Sequence, residues 1–315
     1  TADVIPSRSS VYTAIALLAM ALAAALPVGK LADRLIPPTH SPVGYLYALL
    51  VFGVIVLGGL LLLVYVPGLR RTVNYSTRWI ALPVVGSVQP SEIVKWAMIP
   101  VIAAYAAAMG PRLGRLFTGL IPALIAVGLI AAVVVLEDLG TGVLIAAALS
   151  VLLLAAGAKI IHYLAFAPLA ALGVIAAIVE SPYRLARITS FFNPFADARE
   201  SGYQMIQSMV TVAGGGIPGR GLGHGIQKFG YLPEDTTDFL FAVICEEAGL
   251  AGATIIIALY LVMAWTLVGI IRDQTTPVLR YFTVGVLATL LGQAMINLIV
   301  VTGLGEEELG KTGTE

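Results

Sequence analysis

Residues 116–136 read LFTGLIPALIAVGLIAAVVVL, and after Glu137 and Asp138 the chain resumes at 139–157 with LGTGVLIAAALSVLLLAAG. Each run approaches the roughly 20 apolar residues that a helix needs to cross the hydrocarbon of a bilayer. Neither carries a polar stripe, as expected where lipid rather than water lies outside. Comparable runs lie near 10–29, 44–67, 89–109, 159–180, 238–271 and 279–303. The composition agrees: of 315 residues, 59% are hydrophobic and 11% charged, and the mean hydropathy is +0.95. A packed core cannot hide that much apolar surface in a chain of this size. A soluble enzyme and a disordered chain are disfavoured on these grounds. The 18 basic and 18 acidic residues cancel, which argues against a nucleic-acid binder driven by bulk charge. The expected fold class is all-α: a polytopic transmembrane helical bundle forming one integral membrane domain over 1–315.

The run at 10–29 does not read as a cleavable signal, having only Arg8 before it and no small-residue cleavage site after it. The run at 238–271 exceeds one crossing, so it is expected to tilt or project. Residues 181–237 are expected to form one large extracytoplasmic loop, with a short interfacial helix from Gly202 through Val212. With that segment outside, the short inner loops hold Lys30, Arg34, Arg112, Arg115, Lys159, Arg272 and Arg280. The short outer loop 68–88 holds only Arg70, Arg71 and Arg78. The excess of cations on one side is the positive-inside pattern of a cytoplasmic-membrane protein.

An ionisable residue inside a span is costly and is a site hypothesis by default. Glu92 and Lys95 lie at i,i+3 and can pair, as chemistry or as a structural tie. Glu137 and Asp138 break the fourth span from the fifth, and Asp138 can also cap the fifth helix. Asp238 opens the long run, either as a functional carboxylate or as an answer to the helix dipole behind Thr236 and Thr237. Glu246 and Glu247 lie two turns deeper, where helix packing is the leading reading. The polar helix ends at Glu92, Lys95, Glu137, Asp138 and Asp238 fall on one side, suggesting one outward-facing polar cavity. The glycine-dense run 214–225 lacks the βαβ setting of a dinucleotide site. It can still bring main-chain N–H groups to a phosphate near Arg220 and Lys228, or be merely a flexible loop. A single cysteine, Cys245, excludes a disulfide framework, and His224 has no second ligand at metal-site spacing.

In order along the chain stand Arg78-Trp-Ile80, Gln89-Pro-Ser-Glu-Ile-Val-Lys95, Asp138-Leu-Gly-Thr141, Pro182-Tyr-Arg-Leu-Ala-Arg187 and Gly202-Tyr-Gln-Met-Ile-Gln-Ser208. Then come Gly219-Arg-Gly-Leu-Gly223, Gln227-Lys228 and the string from Leu232 to Gly249. Together, over about residues 70–304, they resemble the SEDS family of shape, elongation, division and sporulation proteins. The Pro182–Arg187 string and the short C-terminal side look more like the RodA branch than the FtsW branch. The family usually carries about ten spans, against about eight legible here. Residues 305–315 depart from the family's pattern, and the family's final Leu-Pro-containing string does not follow Gly303.

The resemblance implies a peptidoglycan glycosyltransferase. It would polymerise lipid II at the outer face of the bacterial cytoplasmic membrane and release undecaprenyl pyrophosphate, in the service of cell elongation and shape. It implies a class B penicillin-binding protein and other elongation-complex membrane proteins as partners, with membrane lipid around the chain and no nucleic acid. Asp238 matches the family's essential outer-loop acid and is the expected catalytic base. Glu92 and Lys95 match its polar pair, and Asp138 matches its Asp-Leu-Gly-Thr aspartate. Arg78, Arg187, Arg220, Lys228 and Lys95 are the cations that suit a pyrophosphate leaving group. A divalent cation, Mg or Mn, would suit it equally, with no ligand set identified. Two competing readings are a lipid II flippase, which expects polar residues at both membrane faces, and a non-catalytic scaffold for the penicillin-binding protein.

Overall fold

The structure, a computed structural model, describes residues 8–25, 43–67, 70–73, 76–82, 86–197, 202–226 and 238–303. Its helices are α1 (Arg8–Ala25), α2 (Val43–Leu62), α3 (Pro90–Met109), α4 (Ile121–Glu137), α5 (Leu139–Ala155) and α6 (Ile160–Val179). They continue with α7 (Pro182–Phe192), α8 (Tyr203–Gly215), α9 (Leu240–Asp273) and α10 (Pro277–Thr302). Every expected span is helical over most of its described residues, and 26–29 of the first lie outside them. Among the described residues, six segments are long and apolar enough to cross a membrane, while Thr13–Leu22 in α1 and Leu139–Ala155 in α5 are shorter. The chain is an integral membrane protein built as a helical bundle.

Local chemistry sets the ends. Pro90, Pro182 and Pro277 open α3, α7 and α10, where a missing N–H costs nothing. Gly303, left-handed at φ 65°, closes α10. The centre of the bundle is α3, packed against α2, α5 and α10. Met98, Ile99, Ile102 and Tyr105 of α3 are almost fully buried against Leu120, Ile130, Leu149 and Leu152. By contrast α6 buries none of its residues and packs chiefly on α7. Chain direction alternates, so one end of the bundle gathers the end of α2, the start of α3, the α4–α5 junction, the start of α9 and the end of α10. Arg112, Arg115 and Lys159 lie in connections at the opposite end, with Arg272 in the last turn of α9 and Arg280 in the first turn of α10 there, and Lys30 and Arg34 lie outside the described residues.

The structure departs from the sequence reading in three places. The connection expected as a loop at 68–88 holds a three-stranded antiparallel sheet, β1 (Arg70–Val73), β2 (Ser76–Leu82) and β3 (Gly86–Val88), in the order β1-β2-β3. Ile80 pairs with Arg70 on one side and Val88 on the other. The strands are short, and a run this brief between two spans carries little period-two signal. The expected outer loop 181–237 is substantially helical where described, as α7 and α8, and only α8 matches the helix expected there.

The third departure is in α9, which is broken near its start. Gly249 has φ 62° and ψ −154°, so a short helix, 240–248, precedes the long one. The turn after α8 enters this break. Arg220 N–H donates to Glu246 O and Gly221 N–H to Glu247 O, both at 2.9 Å, and Leu250 N–H returns a bond to Gly216 O at 3.1 Å. Glycine is required on both sides of the crossing. A Cβ on Gly215 would lie 1.9 Å from Cys245 O, and one on Gly249 would lie 2.4 Å from Gly219 N.

Gly215→Ala is therefore expected to destabilise the protein by at least about 1–3 kcal/mol, the usual cost of overpacking. A lowered unfolding midpoint in detergent measures it. Gly173→Ala in α6, where a Cβ meets nothing within 4 Å, serves as the control and should unfold no earlier than the native chain.

Candidate active site at one end of the bundle

Asp138 is the only residue between α4 and α5, and it is extended at φ −144° and ψ 95°. Its Oδ1 accepts the Thr141 N–H at 3.0 Å, which caps α5. Its Oδ2 accepts Arg78 Nη1 at 3.2 Å and Gln89 Nε2 at 3.4 Å. Strand alternation explains the first of these. Arg78 and Ile80 are two apart on β2, so they share the face turned toward the bundle, where Ile80 is buried. Beside them Tyr65 Oη donates to Glu137 Oε1 at 2.8 Å. One carboxylate thus ends α4, starts α5, and ties the small sheet to both.

Next to this junction opens a cavity of about 750 Å3, walled by Arg78, Asp138, Arg184, Arg187, Phe239 and Val300 among others. It faces the amphipathic helix α7. Arg184 Nη1 donates to Ala177 O at 2.9 Å and its Nη2 donates to Leu136 O, so one guanidinium meets the carbonyl-bearing ends of α6 and α4. One turn on, Arg187 is exposed, its guanidinium carbon 5.8 Å from the centre of the Tyr183 ring. The cavity therefore has arginines on two walls and aromatic residues, Phe191 and Phe192, along α7.

Asp238 is exposed and immediately precedes Phe239, which is buried and lines the cavity. Asp238 itself is not among the lining residues. The Asp238 carbonyl accepts Asn297 Nδ2 of α10 at 2.7 Å. The residues suggested as its N-caps, Thr236 and Thr237, lie outside the described residues.

The remaining candidates sit elsewhere. Lys95 is 3% exposed and bonds Glu92 at 2.8 Å and Gln293 Oε1 at 3.0 Å, inside the bundle. The polar helix ends do not merge into one cavity, because the Lys95 side chain turns toward α10 rather than toward the wall. The glycine-dense loop does not hold its N–H groups open for a phosphate. Gly223 and Gly225 donate to Glu247, and Ile226 donates to Glu246 Oε1 at 3.1 Å. Arg220 is drawn onto Glu246, Nη1 to Oε1 at 3.4 Å, and onto Gly214 O, away from the cavity wall. Lys228 lies outside the described residues. Among the described residues no group of three or more His, Cys, Asp or Glu side chains converges, so they supply no ligand set for a divalent cation.

The structure thus brings together Arg78, Asp138 and Arg187, with Asp238 at the edge. It leaves Glu92, Lys95 and Arg220 out of the wall. Arg184 and Asn297 were missed by sequence reasoning. The signal for Arg184 was present, since it stands at i,i+3 from Arg187 on one helix. Asn297 offered only its polarity within an apolar span.

The family described as "Cell cycle protein", embracing FtsW, RodA and SpoVE, matches residues 4–305. Stage V sporulation protein E of Bacillus subtilis (strain 168) is 38% identical over 78% of this chain and 67% of that protein. A probable peptidoglycan glycosyltransferase FtsW of Legionella pneumophila is 39% identical over 78% of this chain and 63% of its own length. The chain thus spans about two thirds of the length of these relatives. Its fold is similar to a chain in a solved structure titled "Structural coordination of polymerization and crosslinking by a peptidoglycan synthase complex". That match has a TM-score of 0.61 and 24% identity, and covers 89% of this chain and 78% of the other. It is also similar to the rod shape determining protein RodA of Thermus thermophilus, with TM-score 0.50 and 20% identity over 83% of this chain and 67% of that one. The likeness to these two structures is one of fold. On the family match over residues 4–305 and the identity to its named relatives, the chain belongs to the FtsW/RodA/SpoVE family of cell cycle proteins.

Proposed function

We propose that the protein is a peptidoglycan glycosyltransferase that polymerises lipid II at the outer face of the bacterial cytoplasmic membrane, with Asp238 as general base. The observation that carries this reading is an exposed carboxylate one residue from the wall of a cavity lined with arginines, at one end of a membrane bundle. The outward orientation is supported by the cations gathered at the opposite end, which the positive-inside pattern assigns to the cytoplasm.

The 4-hydroxyl of one sugar attacks the anomeric carbon of another. The new glycosidic bond forms as the bond to undecaprenyl pyrophosphate breaks, and the leaving group takes the electron pair. Asp238 accepts the hydroxyl proton, a role that typically contributes roughly 10²–10⁴-fold. Pyrophosphate leaves with its charge facing cations. Arg187 is open to it on α7, and Arg78 reaches the same cavity from β2. Arg184, bound to two helix carbonyls, holds α7 in place and adds its positive charge to the wall. The prenyl tail stays in lipid while the headgroup reaches the bundle end. No step is routed through a metal ion.

A flippase would want polar groups at both faces, whereas the cavity and its charges lie at one. A class B penicillin-binding protein is the partner we propose, because new glycan strands must be cross-linked where they emerge. Service in elongation rests on the Pro182–Arg187 string. It is tested by whether the chain restores rod shape to cells depleted of RodA.

Polymer formation from purified lipid II is expected to fall at least 100-fold in Asp238→Asn, with lipid II binding held within about threefold. Undiminished polymer from a folded Asp238→Asn protein ends the base assignment. Arg187→Ala is expected to raise the KM for lipid II about tenfold or more, the weight of a charge-assisted hydrogen bond to the pyrophosphate. Translocation of lipid II in liposomes without any polymer would favour the flippase instead.

A further inference from the structure

We propose that Asn297 is the positioning residue for Asp238, an inference that rests on the reading of Asp238 as base. Among the described residues the Asp238 carboxylate has no hydrogen-bond or ion-pair partner, so its place is set by its main chain. That main chain is weakly held by its own helix. At the start of α9 the N–H groups of Ala242 and Val243 both turn to Phe239 O, at 2.9 and 3.3 Å, and leave Asp238 O outside the ladder. Phe239 has φ −107° and ψ 16°, not a helical residue. The break at Gly249 further separates 240–248 from the long part of α9, so the register of that long helix is not transmitted to residue 238.

What fixes residue 238 comes from α10. Asn297 Nδ2 donates to Asp238 O at 2.7 Å. Val300 lies one turn along, on the same side of α10, and packs in the cluster that buries Phe239. Asp238 is therefore held at its carbonyl by one residue of α10, while Phe239, the next residue in the chain, packs in a cluster that α10 joins through Val300 and Val301. The sequence around Asn297, Met295-Ile-Asn-Leu-Ile299, is otherwise apolar. A carboxamide in such a span is costly unless bonded, and this bond is what it makes.

The magnitudes separate positioning from simple packing. Loss of one neutral hydrogen bond shifts a folding equilibrium by only about tenfold. Displacement of a reacting group by about 1 Å costs on the order of 100-fold in rate. Asn297→Leu keeps the approximate shape and removes the donor, while Asn297→Gln keeps a donor. With purified protein and lipid II, Asn297→Leu is expected to lower kcat at least tenfold, with KM within threefold and the unfolding midpoint within a few degrees of native. Asn297→Gln is expected to recover at least a third of native kcat. The proposal is overturned if kcat in Asn297→Leu stays within twofold of native. It is equally overturned if KM rises in step with the loss, or if Asn297→Gln fails to recover kcat. Asp238→Asn measured alongside keeps the two claims apart. Full polymerisation in that variant removes the base, and with it any role for Asn297. Loss there with none in Asn297→Leu removes Asn297 alone.

Discussion

A main-chain amide or carbonyl without a partner costs several kcal/mol in hydrocarbon, so a helix inside a span breaks only where something else meets the freed groups. The break at Gly249 obeys this constraint closely. It frees Glu246 O, Glu247 O and Leu250 N–H, and residues 216–221 supply the complementary donors and acceptor. The side chains of the same two glutamates then bind the N–H groups of the following loop. Glu246 is 1% exposed, and its charge is answered by Arg220. The start of α9, which carries the candidate base, is thereby locked to α8 and its turn rather than to the rest of its own helix. Tight approach makes glycine unavoidable at 215, 219 and 249, because each Cβ would collide with main chain of the opposing segment.

The two ends of the proposed reaction are built from different material. The cations come from elements at the α4–α5 end: a strand residue, Arg78, and the α7 pair Arg184 and Arg187. The carboxylate comes from the α8–α9–α10 side. An ion pair between Arg78 and Asp138, each partly exposed, contributes little stability by itself. Its value is geometric, since it holds the sheet against the bundle end and fixes where one cationic wall stands. Among the described residues Asp238 makes no ion pair with these arginines, so the proposed base is not neutralised by the groups proposed to meet pyrophosphate.

Legibility followed period and cost. The spans were readable because about 20 consecutive apolar residues match the hydrocarbon thickness of a bilayer and exceed what a small soluble core buries in one helix. Asp138 as a helix cap and Glu92 with Lys95 as an ion pair were readable because both are local, at i,i+3. The break at Gly249 was not readable, because a lone glycine in a long apolar run resembles many that stay helical, such as Gly269 nearby. Residue type placed Arg220 among the phosphate-binding candidates. Tertiary contact decided otherwise, since Glu246 reaches it only once the loop has folded back across the helix. Arg184 and Arg187 share one string, yet their partners divide them into a staple and an open cation. No spacing distinguishes those two uses.

One pattern in α10 does tie these parts together and is visible in the sequence. Gly285, Thr289, Gln293, Asn297 and Val301 recur at intervals of four. Each step of four advances about 40° around a helix of 3.6 residues per turn, so this ridge winds slowly around α10 instead of following one side. Successive members therefore face successive neighbours. Gly285 lets Ile99 of α3 and Leu152 of α5 approach, where a Cβ would come within 2.5 and 2.9 Å. Gln293 accepts from Lys95 of α3, and Asn297 donates to Asp238 at the start of α9. At the end of the ridge, Val301 O accepts Ser208 Oγ of α8 at 2.7 Å. Buried Lys95 on α3 and exposed Asp238 just before α9 are thus bonded to one helix, one turn apart. A shift of α10 along its axis would disturb both bonds.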